Sequence, residues 1–253
     1  MKKLYFPFVF FLLFCLSSCV DIEERYDFKS DGSCNVLYGF DMGKAVSVLA
    51  NLMTDSVRET PQYNLVKDTT LNFYNALPDS IANKMNAEEI KMAQGSDLAV
   101  KMDLKHNIMK VSVKHEARNA ADLQYYLQHL NNISMNGDLS QMTKNKQPGG
   151  FDPQPLINGQ SYYNYDITPH KFYRIIDKVK FAAFLKKAGA KFAMAKAMLI
   201  DMPYKVVLRF AKPVKKMNGS KAILSADRHT VTLVTSMDEV MKNPSLMNLK
   251  IDF

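Results

Sequence analysis

The chain of 253 residues has no apolar run long enough to span a bilayer. Its longest, Leu4 to Leu16, is thirteen residues and contains Pro7, whereas a spanning helix needs about 20. Cysteine is scarce, with only Cys15, Cys19 and Cys34, too few for a disulfide scaffold. The five histidines (His106, His115, His129, His170, His229) are scattered without metal-ligand spacing, and neither His-Glu-x-x-His nor Gly-x-Ser-x-Gly occurs. The stretch Gly39 to Gly43-Lys44-Ala45 is one residue short of a phosphate loop and lacks its Ser or Thr. Glu88-Glu89 and Asp238-Glu239 are adjacent pairs on expected helices, where neighbours point apart rather than share a site. No catalytic residue, metal or cofactor is therefore expected, and the chain reads as a non-enzyme. No internal repeat is present.

What the N-terminus does hold is an export signature. Lys2 and Lys3 precede the thirteen-residue apolar stretch, which has the length of a signal h-region. Leu16-Ser17-Ser18-Cys19 resembles the bacterial lipobox, an aliphatic residue and two small ones before a cysteine. The resemblance implies a signal peptide over 1–18, cleavage between Ser18 and Cys19, and acylation of Cys19 with palmitate-type chains. Several chains, at about 0.8 kcal/mol per buried CH₂, make a firm anchor. Val20 rather than Asp follows Cys19, which by the same resemblance implies the outer membrane, with a periplasmic or surface-facing domain. The run Asp21-Ile22-Glu23-Glu24 is either an acidic surface-export tract or the solvent face of a first strand. With Cys15 removed and Cys19 acylated, Cys34 has no internal partner; its apolar alternating setting predicts a buried, inert thiol.

Residues 20–253 hold 31 Lys and Arg against 25 Asp and Glu, net +6. The excess is local: residues 178–221 contain twelve bases and one acid, Asp201. Such a segment suits anionic headgroups or an anionic polymer, or its lysines simply line solvent faces while their stems cover apolar neighbours. Nucleic acid is disfavoured by the exported location. The candidate anionic-surface residues are Lys180, Lys187 and Lys191 on one helix, with the adjoining Lys212, Lys215 and Lys216. Methionine is abundant toward the C-terminus (Met194, Met198, Met202, Met217, Met237, Met241, Met247), as core filler or as an adaptable apolar pocket.

The hydropathy pattern predicts an α+β fold, a mainly antiparallel sheet built from hairpins with helices packed on one face. Ile22, Glu24, Tyr26 and Phe28 alternate with polar neighbours, Ser30-Asp31-Gly32-Ser33 marks a turn, and Cys34, Val36, Tyr38 and Phe40 alternate back. A helix is expected over 43–53, a loop over 54–64, a strand over 66–74, and one helix from Pro78 to about Gln94. A second hairpin turns at His106-Asn107, and a helix begins near Asn119. Residues 134–161, rich in Pro, Gly and Asn, read as a long loop within a single domain over 19–253. Residues 162–176 are ambiguous but extended in character. Residues 178–200 are the clearest helix, with Phe181, Leu185, Ala188, Phe192, Ala195 and Leu199 as its stripe and Pro203 beyond its end. Strands follow at 204–210, 222–224, 230–235 and 249–253, with a helical link at 237–242.

The opening pattern, an acidic-aromatic strand, Asp31-Gly32-Ser33, a second strand, and Asp41-Met42 leading into a helix, resembles uncharacterised Bacteroidetes lipoproteins. More distantly it is similar to the lipid-binding LppM-type domain of mycobacterial lipoproteins, as is the closing run Val206 to Phe210, Asn218-Gly219 and Thr230 to Leu233. The resemblance carries no active-site residue. A Bacteroidetes source would imply O-glycosylation at Asp-Ser/Thr tripeptides, with Ser56, Thr69 and Ser80 as candidates, although Asp, Ser and Thr also favour caps and turns. Together these features lead to a lipid-anchored envelope module that binds a lipid, glycolipid or envelope protein. The alternative is a structural or assembly subunit of an outer-membrane complex, docking through 134–161.

Overall fold

The computed structural model describes residues 20–61, 63–77, 79–129, 162–197 and 202–253. They form an α+β fold of two sheets packed face to face. The first holds eight strands in the order β10-β11-β8-β1-β2-β5-β4-β3, and the second four in the order β6-β7-β12-β9. In the first sheet β1 spans Asp21–Phe28, β2 Cys34–Asp41, β3 Val66–Asn72, β4 Ser96–Asp103 and β5 Ile108–Ala117. It is completed by β8 (Pro203–Phe210), β10 (Ala222–Leu224) and β11 (Thr230–Ser236). The second contains β6 (Tyr163–Thr168), β7 (Lys171–Ile176), β9 (Lys216–Asn218) and β12 (Leu249–Asp252). Every pairing is antiparallel except β1 with β8.

The β1–β2 hairpin forms as its alternation predicts. Gly32 turns it with φ +86°, a conformation that side chains rarely adopt, while Asp31 accepts hydrogen bonds from the backbone N–H and hydroxyl of Ser33. The register aligns Ile22, Glu24 and Tyr26 with Phe40, Tyr38 and Val36, and these with Val111, Val113 and His115. One continuous buried face results. The second sheet covers its middle: Phe172 meets Tyr26 and Phe28, and Phe253 meets Phe28 and Phe210, at ring separations of 4.4–5.8 Å. Helix α4 (Ala87–Gln94) packs by β4, and α5 (Ala120–His129) packs on β5 and β6.

The remaining helices are α1 (Gly43–Leu52), α2 (Asp55–Arg58), α3 (Asp79–Ala82), α6 (Lys178–Ala197) and α7 (Met237–Lys242). Three expectations are corrected. The loop over 54–64 contains α2. The strand from Val66 stops at Asn72, whose side-chain amide donates to the carbonyls of Gln94 and Ser96 and turns the chain. The single helix from Pro78 is two, because Asn86 accepts from the N–H groups of Glu88 and Glu89 while Glu89 reaches back to the Asn86 N–H, starting a new helix at Ala87. The extended stretch 162–176 is the β6–β7 hairpin. Met237 and Met247 are buried and Met202, Met217 and Met241 pack against the core, so these methionines fill it. The loop over 134–161 lies outside the described residues.

Candidate functional site

The largest concentration of buried polar chemistry joins the two sheets. Glu24 lies in the apolar register of β1 and is buried. Its carboxylate accepts from Arg174 Nη1 at 2.7 Å, from the Tyr26 hydroxyl at 2.9 Å, and from the Tyr204 hydroxyl. Arg174, on β7, is fully buried; its Nε donates to the Met247 carbonyl at 3.2 Å, and its guanidinium lies 4.7 Å from the centre of the Tyr163 ring. Burial opposes the guanidinium charge, but Glu24 and the surrounding phenols outweigh it and hold Arg174 more firmly protonated than usual. Burial, then the Glu24 charge, pushes the phenols of Tyr26 and Tyr204 well up. The carboxylate is committed to three donors that tie β1 and β8 to β7.

A second polar contact has the look of a catalytic pair. Ser96 Oγ lies 2.9 Å from His115 Nδ1. The same hydroxyl donates to the Met92 carbonyl at 2.7 Å, so its one proton is used and Nδ1 carries the proton between them. The histidine therefore donates to the serine, the reverse of base activation. Its ring stacks on Tyr126 at 3.8 Å, and burial lowers its pKa to about 4, leaving it neutral.

The end of the first sheet at which β1 begins gathers more exposed chemistry. Asp21 is level with Asp41, Lys110, Lys101 and Asp68 across β2, β5, β4 and β3. Beyond that row the sheet continues for two residues, to Ile108, Asp103 and Val66. Gly43 starts α1 here because only a residue without Cβ fits: an added Cβ would lie 2.5 Å from the Asn107 carbonyl oxygen. A shallow groove of roughly 370 Å³ is lined by Asp21, Asp41, Lys44, Ser47, Asn107 and Lys110. Lys110 bridges Asp41 at 2.7 Å and Lys44 approaches Asp21 at 4.0 Å. Helix α6 starts at the same end, since β7 places Phe172 by Tyr26 and Phe28, then Arg174 by Glu24, and so runs toward the start of β1.

The sequence candidates fall as follows. Ser18 and Cys19 precede the described residues. Val20, the next residue, is buried, and β1 begins at Asp21. Lys180 is exposed on the first turn of α6, 3.9 Å from Asp177; the side chains of Lys187 and Lys191 lie outside the described residues. Lys212, Lys215 and Lys216 do not adjoin Lys180. They follow β8, whose Phe210 is level with Phe28, and Lys215 donates to the Phe253 carbonyl, so the two groups sit at opposite ends of the sheet. The candidate basic surface is thus divided, because β8 carries the chain the full length of β1 between them. Ser56 is exposed on α2, with its Oγ 2.9 Å from the Thr54 hydroxyl, Thr69 is half-buried on β3, and the Ser80 side chain is outside the described residues. The acidic run 21–24 is no exposed tract, since Ile22 and Glu24 face the core. Cys34 is buried, and desolvation raises its thiol pKa, in keeping with an inert thiol. Sequence reasoning missed Arg174 and His115; the signal for the former was a glutamate at a core position of β1.

Among the described residues no cluster of His, Cys, Asp and Glu is arranged to hold a metal, and no helix is long and apolar enough to cross a membrane. No family model matches the chain, and no curated protein matches it either. Among solved structures, the folded domain of LppM from Mycobacterium tuberculosis is a weak neighbour. It shares 7% identity and a TM-score of 0.32, over 93% of this chain and 90% of that one. At that score the likeness carries no argument about function.

Proposed function

We propose that this chain is a lipid-anchored protein of the bacterial cell envelope whose α+β domain binds at the membrane surface without catalysing a reaction. The observation that carries the reading is the closeness of lipobox and fold: a single residue, Val20, separates Cys19 from the first strand. Consecutive Cα atoms are 3.8 Å apart, so an acylated Cys19 holds the domain against the bilayer rather than on a stalk. The polar groups that resemble catalytic machinery support the non-enzymatic part. Glu24 is spent on Arg174 and two phenols, and the Ser96 hydroxyl accepts a hydrogen bond from His115 while its own hydrogen goes to the Met92 carbonyl. The sequence resemblance favours the outer membrane. The α6 lysines Lys180, Lys187 and Lys191 are its proposed contacts to anionic headgroups; Lys212, Lys215 and Lys216 are too far along the sheet to share them.

Growth of a Gram-negative host expressing the full chain with a clickable palmitate analogue tests the anchor. Wild type should be labelled and remain in the membrane fraction, and Cys19→Ser should be unlabelled and retain its signal. Equal labelling of both, or no labelling of either, contradicts the reading.

A further inference from the structure

Seven large apolar residues are exposed among the described residues, and their distribution is uneven. Ile223 and Val234 are neighbours on β10 and β11, at the sheet edge opposite β3 and level with Arg25 and Glu23. The other five belong to segments that leave or enter the sheets at the end where β1 begins. Leu52 and Val57 are carried by the excursion that departs at Gly43 and returns through Leu65 and Val66. Val179, 81% exposed, is on the first turn of α6. Exposed side chains of this kind cost nothing singly, but a group carried by segments that depart from and return to one end marks a contact surface.

The register fixes the height of Val66 and its neighbour Ile108. Val66 and Ile108 lie two residues past Asp21, about 7 Å farther along the strand direction toward the N-terminus. They therefore overhang the level of Asp21 on the side on which Val20 precedes β1. Exposed lysines accompany them: Lys44 on α1, Lys105 and Lys110 around β5, and Lys178 and Lys180 on α6. Of the acids at this end, Asp21, Asp41, Asp68 and Asp177 stand within 4.0 Å of a lysine and Asp103 pairs with His106, while Asp55 and Glu59 beside Val57 are exposed. Apolar tips beside lysines suit the boundary between acyl chains and headgroups, where long cationic stems reach out to the charged layer.

We infer that this end of the molecule lies on the bilayer, with Leu52, Val57, Leu65, Val66 and Val179 entering the interface and the opposite end directed away. The inference rests on acylation of Cys19 and adds the orientation. An anchor attached one residue from the sheet leaves little freedom to lift or invert the domain, so the apolar side chains meet lipid with their ordering cost already reduced by the tether.

The test uses the full lipidated chain, purified in detergent and reconstituted into vesicles of phosphatidylethanolamine and phosphatidylglycerol. Single cysteines at Val66 and Val179, and at His170 and Lys212 on the far end, carry an environment-sensitive bimane label. All four positions are exposed, so each variant should keep the fold, and buried Cys34 stays unlabelled. The expected result is that the protein floats with the vesicles, that spin-labelled lipid removes most emission from positions 66 and 179, and that aqueous iodide quenches only positions 170 and 212. Flotation with equal quenching at all four positions overturns the orientation while leaving the anchor intact. Failure to float overturns the anchor and the orientation with it.

Discussion

Replacing Glu24 with leucine should strand the Arg174 guanidinium in the core. Arg174 is fully buried, and a guanidinium cannot escape by losing a proton. Its remaining contacts are one carbonyl at 3.2 Å and the Tyr163 ring. Breaking a buried pair on one side costs about 3–5 kcal/mol. Tyr26 and Tyr204 lose their acceptor as well, about 1–3 kcal/mol each before relaxation. A loss of at least about 5 kcal/mol is expected, comparable with the whole stability of a marginal domain. Arg174→Met should cost less, because the Glu24 carboxylate left behind keeps two phenolic donors. The double variant Glu24→Leu/Arg174→Met removes both charges and should recover at least half of the single-variant loss, since apolar replacement of a buried pair is often neutral or better. Urea unfolding of the 20–253 fragment, followed by far-ultraviolet circular dichroism, gives the four corners of the cycle. A Glu24→Leu cost below about 1 kcal/mol, or a double variant equal to the sum of the singles, would refute a coupled buried pair.

Three further outcomes follow from the same interior. His115 has its pKa lowered from 6.5 to about 4, so its stabilisation is complete above pH 6.5 and is lost as pH falls toward 4. At 1.36 kcal/mol per unit this is about 3 kcal/mol by pH 4, and His115→Gln should flatten that part of a stability profile measured by urea titration. The phenols of Tyr26, Tyr126, Tyr162, Tyr163, Tyr165 and Tyr204 are raised by burial. They favour the fold below the ordinary tyrosine range near 10 and penalise it above. The chain has no tryptophan, so absorbance at 295 nm reports tyrosinate, and these six should ionise only as the protein unfolds; smooth ionisation of all eleven tyrosines of residues 20–253 (the twelfth, Tyr5, leaves with the signal) in folded protein would contradict their burial. Gly43→Ala should lower stability by about 1–3 kcal/mol in thermal melts, because its Cβ meets the Asn107 backbone.

Local periodicity made much of the first sheet legible. The alternations around Asp31-Gly32 and around Asn107 specify hairpins without help from distant residues, and both formed. Pro203 and the four-three spacing from Phe181 marked the helix at Lys178–Ala197. What stayed hidden depends on long-range pairing. Nothing near Phe172 indicates that β7 joins β12, almost eighty residues later, or that β8 runs parallel beside β1. The separation of Lys180 from Lys212–Lys216 is a consequence of that parallel strand, and sequence proximity suggested the opposite. Glu24 shows the limit most clearly. Its place in an apolar register was visible, but its partner lies 150 positions away.

Intact mass spectrometry of the protein extracted by detergent from the host membrane tests the anchor most directly. The expected species begins at Cys19, lacks residues 1–18, and is heavier than the unmodified 19–253 chain by an acylated glyceryl group. A chain that begins at any other residue, or that begins at Cys19 without added lipid, would contradict it.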